Sequence, residues 1–151
     1  MKELIVFSFN ETEELGKKMG QSFLNGGTIE KARVIALEGE LGAGKTTFLK
    51  GFAKGLGIKK IIQSPTFIIM NRFPIKRGGY KSFYHFDCYR IENEKEMECL
   101  DFENVLNNKE NLVCIEWASK IKKILPKDRI DIIFSVEGEN ERKIKIKNYD
   151  R

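Results

Sequence analysis

At 151 residues the chain has the length of one domain and enough substance to bury a core. No stretch approaches the ~18 consecutive apolar residues of a membrane span, the start at Met1-Lys2-Glu3 does not read as a signal peptide, and Cys88, Cys99 and Cys114 form no C-x-x-C pair, which argues against a disulfide framework or a zinc site and for a cytoplasmic protein. The net charge of +5 permits contact with nucleic acid, but Lys59-Lys60, Lys76-Arg77, Lys122-Lys123 and Lys143, Lys145 and Lys147 are scattered, with no aromatic RNA-binding string among them, and read as a solvated surface.

In chain order, Leu4 to Phe9 reads as a first strand. Asn10 then offers an N-cap, with Glu13 as its capping-box partner. Leu15, Met19 and Phe23 share one face of the helix that follows, and Gly26-Gly27 stops it. Spacing alone makes Thr12 an ordinary residue of the helix terminus.

The 33–38 stretch, Arg-Val-Ile-Ala-Leu-Glu, has the short apolar run of a buried parallel strand. It leads into Gly39-Glu40-Leu41-Gly42-Ala43-Gly44-Lys45-Thr46-Thr47, which fits G-x-x-x-x-G-K-[ST], the phosphate-cradling loop. Glycines let the backbone turn its N–H groups onto phosphate oxygens. Lys45 would reach the β- and γ-phosphates, and the Thr46 hydroxyl would take one Mg²⁺ position. Phe48, Leu49, Phe52, Ala53 and Leu56 follow at helical spacing and Gly57 ends that helix, whose N-terminal end adds to the anion site. Gly51 and Gly55, poor helix formers, imply close packing against a neighbour.

Pro65 holds Ser64 extended, so the chain enters the next strand, Phe67 to Phe73, from an irregular segment. Within that segment Thr66 could sense the γ-phosphate or its metal, as switch threonines do. Lys76-Arg77-Gly78-Gly79 reads as a hairpin tip and Tyr80 to Tyr89 as the returning strand, which makes the sheet mixed. Glu92 to Asn107 reads as one or two short helices, residues 112–115 as an apolar strand, Ile121 to Leu125 as a short helix stopped by Pro126. Ile130 to Val136 and Lys143 to Lys147 form a closing hairpin around Gly138-Glu139-Asn140.

A phosphate loop needs an acidic residue at a neighbouring strand end, to hold Mg²⁺ directly or through water. Glu116, after Leu-Val-Cys-Ile, and Asp87, after Tyr84-His85-Phe86, both qualify. Glu116 has the cleaner buried-strand context and is favoured for the metal; Asp87 would then support it or position water. His85 reads as a packing residue beside an aromatic cluster, and Cys114 as a small buried hydrophobe. Asn108-Lys109-Glu110-Asn111 lacks the aspartate of a guanine-reading string and no D-x-x-G occurs, which favours ATP over GTP.

With the phosphate loop, Ser64-Pro-Thr-Phe67, Tyr84-His-Phe-Asp-Cys-Tyr-Arg90 and Glu116-Trp117 in this order, the chain resembles the TsaE family over nearly its whole length. The resemblance implies one P-loop ATPase domain over residues 1–151, of α/β class, with a mixed central sheet flanked by helices. It implies an ATP hydrolase that joins two partner proteins related to each other by fold. That complex transfers threonylcarbamoyl from its adenylate to N6 of adenosine 37 in ANN-decoding tRNAs, and hydrolysis resets the complex. It further implies ATP and Mg²⁺ as cofactors, held by Glu40, Leu41, Gly42, Ala43, Gly44, Lys45, Thr46 and Thr47. Glu116 is then the second protein ligand of Mg²⁺, Thr66 lies in a switch-like loop, Asp87 is near the γ-phosphate, Trp117 is beside the site and Thr12 is near the adenine. Departures from the family pattern are Cys88, Ala118 after Trp117, and the missing glycine in the stretch after Cys99. The competing class is a P-loop small-molecule kinase, for which Arg72, Arg77 and Arg90 are available but no separate lid is evident.

Overall fold

The computed structural model describes residues 1–60, 62 and 69–149. Among them the strands are β1 (Lys2–Val6), β2 (Arg33–Glu38), β3 (Met70–Arg77), β4 (Tyr80–Asp87), β5 (Asn111–Glu116), β6 (Ile130–Val136) and β7 (Arg142–Lys147). They form one sheet in the order β1-β7-β6-β2-β5-β4-β3. The four inner strands β6, β2, β5 and β4 run parallel, while β7, β1 and β3 are antiparallel to their neighbours. The mixed α/β sheet is therefore as expected.

Residue alternation divides the core in two. Ile35, Leu37, Leu112, Cys114, Ile132 and Phe134 face one side, against helices α1 (Phe9–Gly26) and α2 (Lys45–Gly55). Val34, Ala36, Val113 and Ile115 face the other, beneath 3₁₀ helices at Glu94–Leu100 and Ala118–Ile124 and the short α3 (Phe102–Asn107). β2 and β5 are apolar on both faces because both faces are covered. At the edges the pattern relaxes to alternation: β7 buries Ile144 and Ile146, and turns Lys143 and Lys145 toward Glu3 of β1 at 3.9 and 3.6 Å. Pro74 lies in edge strand β3, the place in a sheet that tolerates a missing N–H.

α1 and α2 pack parallel and nearly backbone to backbone. A Cβ on Gly51 would overlap the Glu13 carbonyl, and one on Gly16 the Phe48 carbonyl; Gly20 and Gly55 meet in the same way one turn on. Gly51 and Gly55 thus serve close packing, as expected, and the match depends on two glycines of α1 as well. Phe23, Phe48, Phe52, Phe83 and Phe134 fill the space beneath, with ring centroids 5.6–6.2 Å apart for successive pairs. Burying each such ring contributes on the order of 1.5–3 kcal/mol.

Several boundaries differ from the sequence reading. β1 ends at Val6, because its partner β7 begins pairing at Arg142, and exposed Phe7 and Phe9 lie beyond the ladder. The N-cap of α1 is Ser8, two residues before Asn10: Glu11 N–H donates to Ser8 Oγ at 3.1 Å, and Phe7 N–H to Glu11 Oε2 at 2.8 Å. Ser8-Phe9-Asn10-Glu11 is itself an S-x-x-E string, so the same rule holds at a different register. β4 ends at Asp87 instead of Tyr89, since β5 stops opposite it at Glu116. β3 runs on through Arg77, leaving Gly78-Gly79 as the hairpin turn. The expected start at Phe67 lies outside the described residues. In the stretch after Cys99, Asp101 takes the left-handed conformation (φ 53°) that a glycine adopts without penalty, joining the 3₁₀ helix to α3.

Candidate nucleotide site

Three adjacent parallel strands end together. Register pairs Leu37 of β2 with Glu116 of β5, and Glu116 with Asp87 of β4, so Glu38, Glu116 and Asp87 line the carboxyl ends of the sheet. This edge is where open α/β sheets bind ligands. The loop from Gly39 to Gly44 rises from the same edge and delivers the chain into α2, with Gly44 left-handed at the helix start (φ 108°) and Gly42 also at positive φ (76°). Phe48 N–H bonds Gly44 O at 2.9 Å, so the helix begins directly behind Lys45.

Lys45 is almost fully buried. Its Nζ donates to Gly39 O and, at 2.9 Å, to Glu40 O, and it lies 4.4 Å from the centre of the Trp117 ring. Burial pulls its pKa below the usual lysine value, while Glu116, Glu38, Asp87 and Glu40 act against that shift. A desolvated ammonium at a helix N-terminus, with a glycine loop over it, is suited to phosphate oxygens.

Thr12 reaches the same place from α1. It is buried, its Oγ1 donates to Ser8 O at 3.3 Å, and its methyl lies 3.5 Å from where a Gly44 side chain would begin. Thr46 and Thr47 are half-buried, whereas Glu40, Leu41 and Gly42 are exposed at the mouth. Trp117 begins the 118–124 helix in a left-handed conformation (φ 56°), tied to β2 by its N–H to Leu37 O at 3.1 Å, and its ring lies 5.0 Å from that of Tyr89. Asp87 Oδ1 accepts from Tyr89 N–H at 3.0 Å. The structure therefore brings Thr12, Lys45, Asp87, Glu116 and Trp117 to one end of the sheet. Thr66 lies outside the described residues.

Sequence reasoning missed three contributors. Glu38 anchors the turn after β5, accepting from both the Ser119 N–H and, at 3.2 Å, the Ser119 hydroxyl. Arg142 is a buried guanidinium that binds the hairpin carbonyls of Gly138, Glu139 and Glu141, and reaches Gly42 O of the phosphate loop at 3.4 Å. His85, read in the sequence first as a packing residue, is fully buried and places Nε2 3.0 Å from Glu116 Oε1. Of these, only His85 carried a signal: its strand position two residues before Asp87 puts both on one face. The Ser119 and Gly42 contacts cross long sequence separations and leave no local pattern.

A strand, a glycine loop and a helix opening on a buried lysine, at the carboxyl ends of parallel strands, define the class of phosphate-loop α/β proteins. Residues 6–144 match the model of the threonylcarbamoyl adenosine biosynthesis protein TsaE. Among similar proteins, the tRNA threonylcarbamoyladenosine biosynthesis protein TsaE of Bacillus subtilis is 44% identical over 111 residues, covering 74% of this chain and 66% of that protein. The protein of the same name from Aquifex aeolicus is 32% identical over 150 residues, covering 97% and 96%. The crystal structure of Bacillus subtilis YdiB superposes with a TM-score of 0.68 at 31% identity, over 95% of this chain and 82% of that one. The chain belongs to the TsaE family.

Proposed function

We propose that this protein is the Mg²⁺-dependent ATPase subunit of a tRNA threonylcarbamoyladenosine-forming system. It acts by nucleotide-dependent association with the two partner proteins that transfer threonylcarbamoyl to adenosine 37, and it reaches tRNA through that complex. The observation that carries this reading is Lys45: buried in a glycine loop and surrounded by strand-end carboxylates, in a chain whose relatives are named for this biosynthesis. No described helix is long and apolar enough to cross a membrane, which fits work in the cytoplasm.

In this reading the N–H groups of residues 42–47 and the Lys45 ammonium bind and orient the triphosphate. The described residues hold no cluster of three or more His, Cys, Asp or Glu side chains spaced for a metal. Mg²⁺ at a nucleotide needs less, because one or two protein oxygens join those of the phosphates. The Thr46 hydroxyl and the buried carboxylate of Glu116 are hard oxygen donors of that kind and would hold it. When bound, the ion neutralises charge developing on the phosphate oxygens. Asp87, one strand away, would orient water, and the Trp117 ring lies against the Lys45 ammonium.

The test is multiple-turnover modification of an ANN-decoding tRNA by the purified partners, with and without this chain. Sustained modification with the native chain, and not with Lys45→Ala, supports the proposal. Equal turnover in its absence would refute it. A nucleoside and nucleotide panel with ATP separates the kinase alternative, which would yield a phosphorylated acceptor instead of free phosphate.

A further inference from the structure

His85 is placed more specifically than packing requires. Its ring is fully buried, Nε2 meets Glu116 Oε1 at 3.0 Å, and Nδ1 is buried with no hydrogen-bond partner among the described residues. A carboxylate oxygen accepts, so Nε2 carries the proton and donates. In the neutral ring Nδ1 is then a bare acceptor in dry surroundings, and in either form an unpaired buried polar atom has a desolvation cost. A leucine or phenylalanine would fill the same space without that cost. The unpaired nitrogen is what remains when a ring is kept for the bond made by its other edge.

The register shows what the bond does. His85 pairs with Cys114 and Asp87 with Glu116, so all four side chains share the sheet face that carries α2 and the phosphate loop. Glu116 closes β5, and the last torsion of a glutamate is soft. Two groups compete for its carboxylate: the His85 donor from within the sheet and the Lys45 ammonium from the loop, for which Glu116 is the leading charge partner. With Oε1 held by His85, the other oxygen of the carboxylate is left for the site. Released, it turns about that soft torsion and neither oxygen is held toward the site.

We propose that His85 is a positioning residue: it fixes Oε1 of Glu116 so that the other oxygen is presented to the divalent cation accompanying the nucleotide. The inference rests on the Mg²⁺–ATP reading above.

The experiment is calorimetric binding of ADP to the full chain, in EDTA and over a Mg²⁺ titration, for the native protein and three variants. His85→Leu removes the donor and keeps the volume. His85→Gln carries an amide N–H at the reach of Nε2, whereas His85→Asn carries one at the reach of Nδ1, too short for Glu116. Binding in EDTA is expected to stay within about twofold in every variant. The Mg²⁺ concentration at half-effect is expected to rise about 10- to 100-fold in His85→Leu and His85→Asn, the usual loss for an outer hydrogen-bond partner of a ligand. His85→Gln should restore it to within a few-fold. If His85→Leu does not fold, the Gln and Asn pair decides alone. Equal Mg²⁺ dependence of Gln and Asn, or an unchanged Leu variant, would overturn the role of His85 while leaving the nucleotide reading intact. A native protein that binds ADP with no Mg²⁺ dependence would overturn both.

Discussion

Lys45→Ala removes a charged donor worth roughly 1.5–3 kcal/mol; ATP affinity by calorimetry is expected to fall about 10- to 150-fold while the melting curve stays cooperative. Glu116→Gln is expected to raise the Mg²⁺ requirement more than Asp87→Asn, because Glu116 is buried at the end of β5 whereas Asp87 is half-buried and bonded to the Tyr89 N–H. A larger shift for Asp87→Asn in a Mg²⁺ titration would exchange the two roles. The cysteines make a simpler test. Burial pushes the Cys88 thiol up to about 12 and that of Cys114 well above its ordinary value, while Cys99 is exposed. A thiol reagent at neutral pH should therefore modify Cys99 in the folded protein and all three only after denaturation. The phosphate loop and both candidate carboxylates were legible because each is a local string: glycines, lysine and threonine at fixed offsets, or an acid closing an apolar run. His85, Glu38 and Arg142 were not, since their partners lie 31, 81 and 100 residues away.

Elements were legible where a single period or a glycine stop decided them. β2, α2, β5 and the closing hairpin lie where apolar runs and turn residues put them. Boundaries failed where a second residue of the same chemistry competed, as Ser8 did with Asn10 for the cap of α1. The packing of α1 on α2 gives the sharpest prediction at this scale. Gly51→Ala should gain about 1 kcal/mol of helix propensity, yet its Cβ would overlap the Glu13 carbonyl. Overpacking costs typically ~1–3 kcal/mol and more against backbone, so chemical denaturation should show a net loss. Gly26→Ala, whose Cβ would meet only the Arg33 side chain at 3.7 Å, should not. The 94–100 helix has its own capping box, in which Glu96 accepts from the Asn93 and Glu92 N–H groups, each at 2.8 Å. Those bonds, Asn93 first, hold the Glu96 carboxyl below its ordinary pKa. The folded value is the depressed one, so the stabilisation is complete above the ordinary glutamate value and lost as pH falls through the lowered one. The Glu92 and Asn93 amide resonances should titrate over that acidic range, and Glu96→Gln should abolish the titration.

Across the whole molecule, the sheet sends its parallel centre and the described candidate site residues to one end, while the antiparallel strands β1, β7 and β3 close the flanks. The mixed topology was legible because a two-glycine hairpin can only join antiparallel strands. The strand order was not, since β2 lies between β6 and β5, both distant in sequence. Near the phosphate loop, Arg142 is occupied by carbonyls of its hairpin and of Gly42. Its position supports the loop from outside and does not make it a stabiliser of charge on a transferring phosphate. P-loop enzymes without such an arginine hydrolyse slowly, and supplying one can be worth ~10³–10⁵ in rate. We therefore propose that the isolated site binds ATP and is completed in the complex, by an arginine of the partners or by Arg90 ordered there. The direct measurement is phosphate release at fixed salt and Mg²⁺ by this chain alone, then with the two purified partners. Slow release that the partners accelerate by at least ~10-fold, and that Lys45→Ala abolishes, is the predicted result; fast turnover by the isolated chain, indifferent to the partners, would contradict it.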